Sequence, residues 1–307
     1  MEPVMLAEAR SRGYGLLGNL LLRGLTTESL PRLRQTPLAG LVPEDADLDR
    51  LAAAHHRLLS MEIHPYASLF LTEDPAGCID PIRDAARAAG FHIDAASARP
   101  DHLGIGLLLL SFLSGATADA LADNKTDITA QTEALAQSFL SSWLIPWLAP
   151  LRAAVSAHDD GLWASVIATA AALAEDHWDG SGSLTLPESA PLLEASRTDL
   201  RAIATFLLTP CRCGVYLSRA DIGGLARGVS VPRGFGSRQQ ELTNLLRTSA
   251  EYGELGALMH RLDGLMARRS EEMTSAFAGV WQARIEEARG VVQTIRRAVE
   301  AQPHSNS

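Results

Sequence analysis

Pro100-Asp101-His102-Leu103-Gly104-Ile105-Gly106-Leu107-Leu108-Leu109-Leu110-Ser111-Phe112-Leu113 is the most apolar stretch of the chain and has a helix start in front of it. Asp101 is a good helix N-cap, because its carboxylate can accept backbone N–H groups that have no partner inside the helix. The residues after it are apolar on every side, so the spacing predicts a helix to Leu113 and on to about Leu121, placed at the centre of a core. The apolar run 103–113 has about half the length a membrane span requires. A buried strand of this length would be expected to carry β-branched residues, which are sparse here.

The pattern repeats outward from that helix. Apolar residues at helical spacing occupy Met5–Leu22, where Gly13, Gly15 and Gly18 weaken the expectation. Leu48–Leu59 follows acidic residues that suit a helix start, and Pro81–Ala89 is ended by Gly90. Thr126–Trp143 is broken or restarted at Pro146, and Trp147–Ala157 and Leu162–Trp178 complete a first block. Asp179-Gly180-Ser181-Gly182-Ser183, with Pro187 and Pro191, reads as a linker.

A second block then opens with a helix over Asp199–Leu208, stopped at Pro210. Ser218 with Asp221, and Ser237 with Gln240, have capping-box spacing for two more helices. Leu255 to about Ala301 is strongly amphipathic and long enough for two helices. No segment alternates with period two. The expected fold class is all-α, with domains at 1–180 and 197–307 joined by 181–196.

Composition agrees with a packed helical chain. Of 307 residues, 47% are hydrophobic and only 21% charged, which argues against disorder. Residues 1–196 hold 12 Arg/Lys against 25 Asp/Glu, while 197–307 hold 15 against 11. An acidic body argues against nucleic-acid binding and favours a basic peptide as partner. Three cysteines cannot make a disulfide framework, and the N-terminus lacks the pattern of a secretory signal, so a cytoplasmic protein without stable membrane insertion is expected.

Two segments carry a resemblance. Glu62-Ile63-His64-Pro65-Tyr66-Ala67-Ser68-Leu69-Phe70-Leu71, followed by Pro100-Asp101-His102-Leu103, resembles in order and separation the signature segments of the TorD/DmsD/NarJ family of molybdoenzyme-specific chaperones. Phe139-Leu140-Ser141-Ser142-Trp143-Leu144-Ile145-Pro146-Trp147-Leu148 is similar to that family's third conserved region. The resemblance spans about residues 5–178, and the C-terminal block departs from it. It implies a TorD-like helical bundle, no catalytic turnover, and binding of an apo-molybdoenzyme catalytic subunit or its twin-arginine signal peptide. Such proteins hold the apoenzyme for cofactor insertion before export. Monomers and homodimers both fit.

The resemblance also implies the peptide-binding residues: Glu62, Pro65, Tyr66, Ser68, Phe70, Pro100, Asp101 and His102. Asp101 would accept hydrogen bonds from guest arginines, His102 would read the guest backbone, and Glu62 would pair with an arginine. Tyr66 and Phe70, one helical turn apart, would form an apolar shelf. The structural alternatives are an N-cap for Asp101, a first-turn residue for His102 and core positions for the aromatics. No cofactor is expected. Some family members meet a guanine nucleotide, and the molybdenum cofactor is the other small molecule such a helper could touch, yet no phosphate-cradling loop stands in the chain.

Other constellations point less far. Cys211-Arg212-Cys213 lacks the ligand number and spacing of a zinc site. His55 and His56 are adjacent, so on a helix they point about 100° apart. Arg227, Arg233 and Arg238 with Gly228, Gly234 and Gly236 could grip a phosphate or an acidic partner, or form a solvated loop. A second reading of the whole chain is a scaffolding or regulatory protein acting through its C-terminal amphipathic helices.

Overall fold

The computed structural model describes residues 2–93, 99–159, 161–188, 199–227, 229 and 236–301. All regular structure among them is helical, so the fold class is all-α. The chain divides into two compact units, Met1–Leu184 and Thr185–Ser307. Pro191, Gly228, Arg233 and Gly234, singled out above, lie outside the described residues.

The first unit is organised by two helices, α1 (Pro3–Arg23) and α6 (Leu103–Ala122). The glycines that weaken α1 as an isolated helix are the reason it packs. A Cβ on Gly18 would fall 2.9 Å from the Gly104 carbonyl oxygen, and one on Gly104 would fall 2.9 Å from that of Gly18. The two backbones therefore touch, and only hydrogen fits between them. Two turns away, Ser11 Oγ donates to the Ser111 carbonyl (2.9 Å) and Ser111 Oγ donates to that of Ser11 (2.7 Å). By length and composition α6 could cross a membrane, but more than half of its most apolar window is buried inside this unit.

Between these helices run α2 (Leu30–Leu33), α3 (Leu48–His55), a widened π turn over His56–Glu62, α4 (Ala67–Leu71) and α5 (Ala76–Ala88). After α6 come α7 (Thr126–Phe139), a second π turn over Leu140–Leu144, α8 (Ile145–Ser156) and α9 (Leu162–His177). Pro146 has no N–H to give, so the helix restarts around it rather than stopping. Trp147 Nε1 donates to the Trp143 carbonyl at 2.7 Å beside this restart. The glycine-rich segment after α9 is tied down: Gln137 donates to the His177 carbonyl (2.7 Å) and accepts from the Asp179 N–H (3.0 Å).

The second unit comprises α10 (Leu200–Leu207), α11 (Pro210–Cys213), α12 (Arg219–Ala226), α13 (Arg238–Glu251), α14 (Leu255–Glu272) and α15 (Ala278–Glu300). Both capping boxes form, Ser218 with Asp221 and Ser237 with Gln240. The long amphipathic stretch folds back on itself, with Asp263 of α14 bonded to Arg289 of α15 at 2.7 Å. Cys211 and Cys213 are buried, and the Cys213 thiol contacts the Leu207 and Val215 carbonyls. Burial pushes that thiol up to about 12, so it stays protonated and is a poor metal ligand.

Candidate peptide-binding cleft

Pro65 favours an extended His64 before it, and Tyr66 enters α4 with φ −114° and ψ 126°, also extended. This short extended piece pairs with the turn before α6. Leu103 N–H donates to the Pro65 carbonyl and Ala67 N–H to the Asp101 carbonyl, each at 2.9 Å, closing an isolated antiparallel bridge between Tyr66 and His102. Two segments more than thirty residues apart in sequence are thereby zipped together.

Asp101 is not the N-cap of α6; His102 is. Its Nδ1 accepts the Gly104 N–H at 2.9 Å. The Asp101 carboxylate turns the other way and takes three donors: Ser68 N–H at 3.3 Å, Arg99 Nε at 3.1 Å and Arg99 Nη2 at 3.0 Å. Arg99 Nη2 also donates to Ser68 Oγ at 2.8 Å, and its guanidinium lies 4.6 Å from the centre of the Tyr66 ring. The Asp101 side chain is 0% exposed and that of Arg99 43%.

Beside this cluster opens a cleft of about 430 Å³. Leu21 and Leu22 of α1, Leu59 of the first π turn and Leu69 of α4 form its aliphatic wall. His55, His64 and His102 line it with Tyr66 and Arg99, and Ser60 stands exposed at its edge. The His102 ring meets Tyr66 edge-on at 5.2 Å, and His55 meets Trp163 at 4.7 Å. Burial lowers the His55 pKa, although its bond to the Leu21 carbonyl opposes this. Burial also brings His102 down to about 4 against the pull of Asp101. His102 is therefore neutral near pH 7, and its capping bond at Nδ1 leaves the proton on Nε2.

The residues named from sequence divide between this site and the core. Pro65, Tyr66, Ser68, Asp101 and His102 come together at the bridge, with Pro100 half-buried in the adjoining turn. Tyr66 and His102 line the cleft, whereas Pro65, Ser68 and Asp101 are buried behind it. Phe70 is fully buried and stacks on Trp147 at 5.3 Å. Tyr66 and Phe70 do not share a helical face, because Tyr66 precedes the helix with extended dihedrals. Glu62 ends the π turn half-buried, outside the cleft lining. Sequence reasoning missed Arg99. Arg99 and Asp101 meet across a turn closed by the His102 N–H to the Arg99 carbonyl at 3.1 Å, a geometry that no periodic pattern announces.

The neutral His102 cap implies a pH effect. Its folded pKa lies below the ordinary value of about 6.5, so the unfolded chain takes up a proton that the folded chain refuses. Stability is unaffected above pH 6.5 and falls as pH drops from 6.5 to about 4, by about 3 kcal/mol in total. Urea midpoints measured at pH 7.5 and 4.5 should differ less in His102→Asn, which can cap without titrating. An equal pH dependence in both proteins would remove His102 as its source.

Residues 26–151 match the model of a family described as nitrate reductase delta subunit, a family of molybdoenzyme maturation chaperones rather than catalysts. The matched stretch contains both segments of the bridge and all of the cleft lining except Leu21 and Leu22. No curated protein and no solved structure matches the chain.

Proposed function

We propose that this chain is a cytoplasmic chaperone that holds the precursor of a molybdenum-containing redox enzyme, through its twin-arginine signal peptide or another N-terminal segment. Holding the apoenzyme in this way would keep it open to cofactor insertion and delay its export. The observation that carries the reading is the convergence of the two motif segments on the edge of an aliphatic cleft, inside the stretch that matches the chaperone family. Such a chaperone turns nothing over and needs no cofactor of its own.

The physical chemistry of the cleft suits a held and released guest. Each leucine-sized side chain buried on its wall contributes about 1.5–3 kcal/mol. Two or three of them give roughly 3–9 kcal/mol before ordering costs, a complex weak enough to let go when the client folds. His102 Nε2–H and the Tyr66 hydroxyl can serve guest carbonyls. The first unit, with 12 Arg/Lys against 23 Asp/Glu over 1–184, draws in a basic segment in a salt-sensitive way.

Affinity capture of the tagged chain from its host, followed by mass spectrometry, tests the reading. The expected catch is a molybdoenzyme catalytic subunit still carrying its N-terminal segment. Partners that include no molybdoenzyme would overturn it.

A further inference from the structure

The contacts around Arg99 describe a receptor as well as a salt bridge. A buried carboxylate takes its Nε and Nη2, the Ser68 hydroxyl takes Nη2 again, and the Tyr66 ring lies beneath the guanidinium plane. Bidentate carboxylate, extra acceptor and aromatic face are the three means by which proteins recognise a guanidinium. The receptor is built from inside, with Asp101 wholly buried, while its occupant is 43% exposed and lines the cleft. The backbone bridge between α4 and the α6 turn brings Ser68, Tyr66 and Asp101 together, and the Ser68 N–H holds the Asp101 carboxylate alongside Arg99.

We infer that Tyr66, Ser68 and Asp101 form a guanidinium-binding seat that Arg99 occupies in the free protein and yields to an arginine of the bound guest. The inference rests on the proposed function and specifies how its guest is read. A guest arginine makes the same hydrogen bonds as Arg99, so the exchange leaves the buried carboxylate satisfied throughout. What the guest must overcome is the advantage of an occupant tethered two residues from Asp101, equivalent to an effective concentration in the millimolar range. Apolar burial on the leucine wall offsets it. The seat therefore works as a two-part test: arginine alone cannot evict Arg99, and an apolar segment alone has nothing to place in the seat. Only a guest with both features, spaced to reach from Asp101 to Leu59 and Leu69, gains from each.

Two measurements test this with the full chain. In the first, Arg99→Ala is melted with millimolar methylguanidinium. A saturable rise in melting temperature is expected, absent from the wild type and from Arg99→Ala/Asp101→Asn. In the second, fluorescent peptides carrying Arg-Arg before a leucine-rich stretch are compared with peptides carrying citrulline, the uncharged isostere. The arginine peptide should bind Arg99→Ala at least about tenfold more tightly than the wild type, since the tethered competitor is gone. The citrulline peptide should bind the two proteins alike. Arg99→Lys keeps charge beside Asp101 but loses the planar fork, and should show the same discrimination if the alanine variant fails to fold. No response to methylguanidinium, or an equal gain for both peptides, would overturn the seat. If methylguanidinium acts as expected but neither peptide binds any form, the seat stands and the peptide-binding function falls.

Discussion

Gly104→Val is expected to destabilise the first unit by about 3 kcal/mol or more. Its Cβ would lie 2.9 Å from the Gly18 carbonyl oxygen and 2.6 Å from Leu22 Cγ. A leucine side chain can move, but the facing carbonyl belongs to α1 and moves only with that helix. Leu21 and Leu22 line the cleft, so the same displacement would reshape its aliphatic wall. The sign is the informative part. In a helix interior, replacing glycine ordinarily gains up to about 1 kcal/mol, and Gly223→Ala in α12, with nothing within 4 Å, should show that gain. Urea unfolding followed by tryptophan fluorescence suits the first unit, which holds Trp143, Trp147, Trp163 and Trp178. A stable Gly104→Val would mean that α1 and α6 do not touch backbone to backbone.

Arg269→Met is expected to cost the second unit about 3–5 kcal/mol. Arg269 Nη2 meets Asp221 Oδ1 at 3.0 Å, and both side chains are less than one-tenth exposed. The other Asp221 oxygen accepts Ser218 N–H and Ser218 Oγ–H, each at 2.9 Å, so a single carboxylate joins the capping box of α12 to the last turn of α14. Removing the guanidinium takes a charge-assisted donor from a carboxylate that is less than one-tenth exposed. Replacing both partners should cost less than the sum of the single changes, because the buried carboxylate that misses its arginine goes with it. Hydrogen exchange of the α12 and α14 amides reads the effect locally. Additive single and double costs would show that the pair is solvated and energetically minor.

What could be read in the sequence was what depends on local pattern. The all-apolar α6, the two capping boxes and the long α14–α15 stretch follow from spacing and cap chemistry, which are properties of neighbouring residues. Gly13, Gly15 and Gly18 look like defects until the partner helix is known, because a close approach is not visible from one side. The two motif segments were visible, but not their pairing, which joins residues 65–67 to 101–103 through backbone atoms that carry no side-chain signature. The roles of Asp101 and His102 were exchanged for the same reason. Either could cap α6 from sequence, and the choice follows from the bridge, which sets the Asp101 carboxylate against the Ser68 N–H and leaves His102 to accept from Gly104. Phe70 stood open between shelf and core; it is core, and Tyr66 shares no helical face with it because α4 starts at Ala67.

The cleft itself should hold the client. Ser60 is exposed at its edge, so Ser60→Trp can fill the opening without disturbing the buried bridge. Capture from the host with this variant, beside the wild type and an Arg268→Trp control on the exposed face of α14, is the most direct measurement. The account predicts that the molybdoenzyme precursor is lost with Ser60→Trp, at unchanged melting temperature, and retained with Arg268→Trp. Retention of the precursor by Ser60→Trp, with loss from the α14 variant, would contradict it and move the binding surface to the second unit.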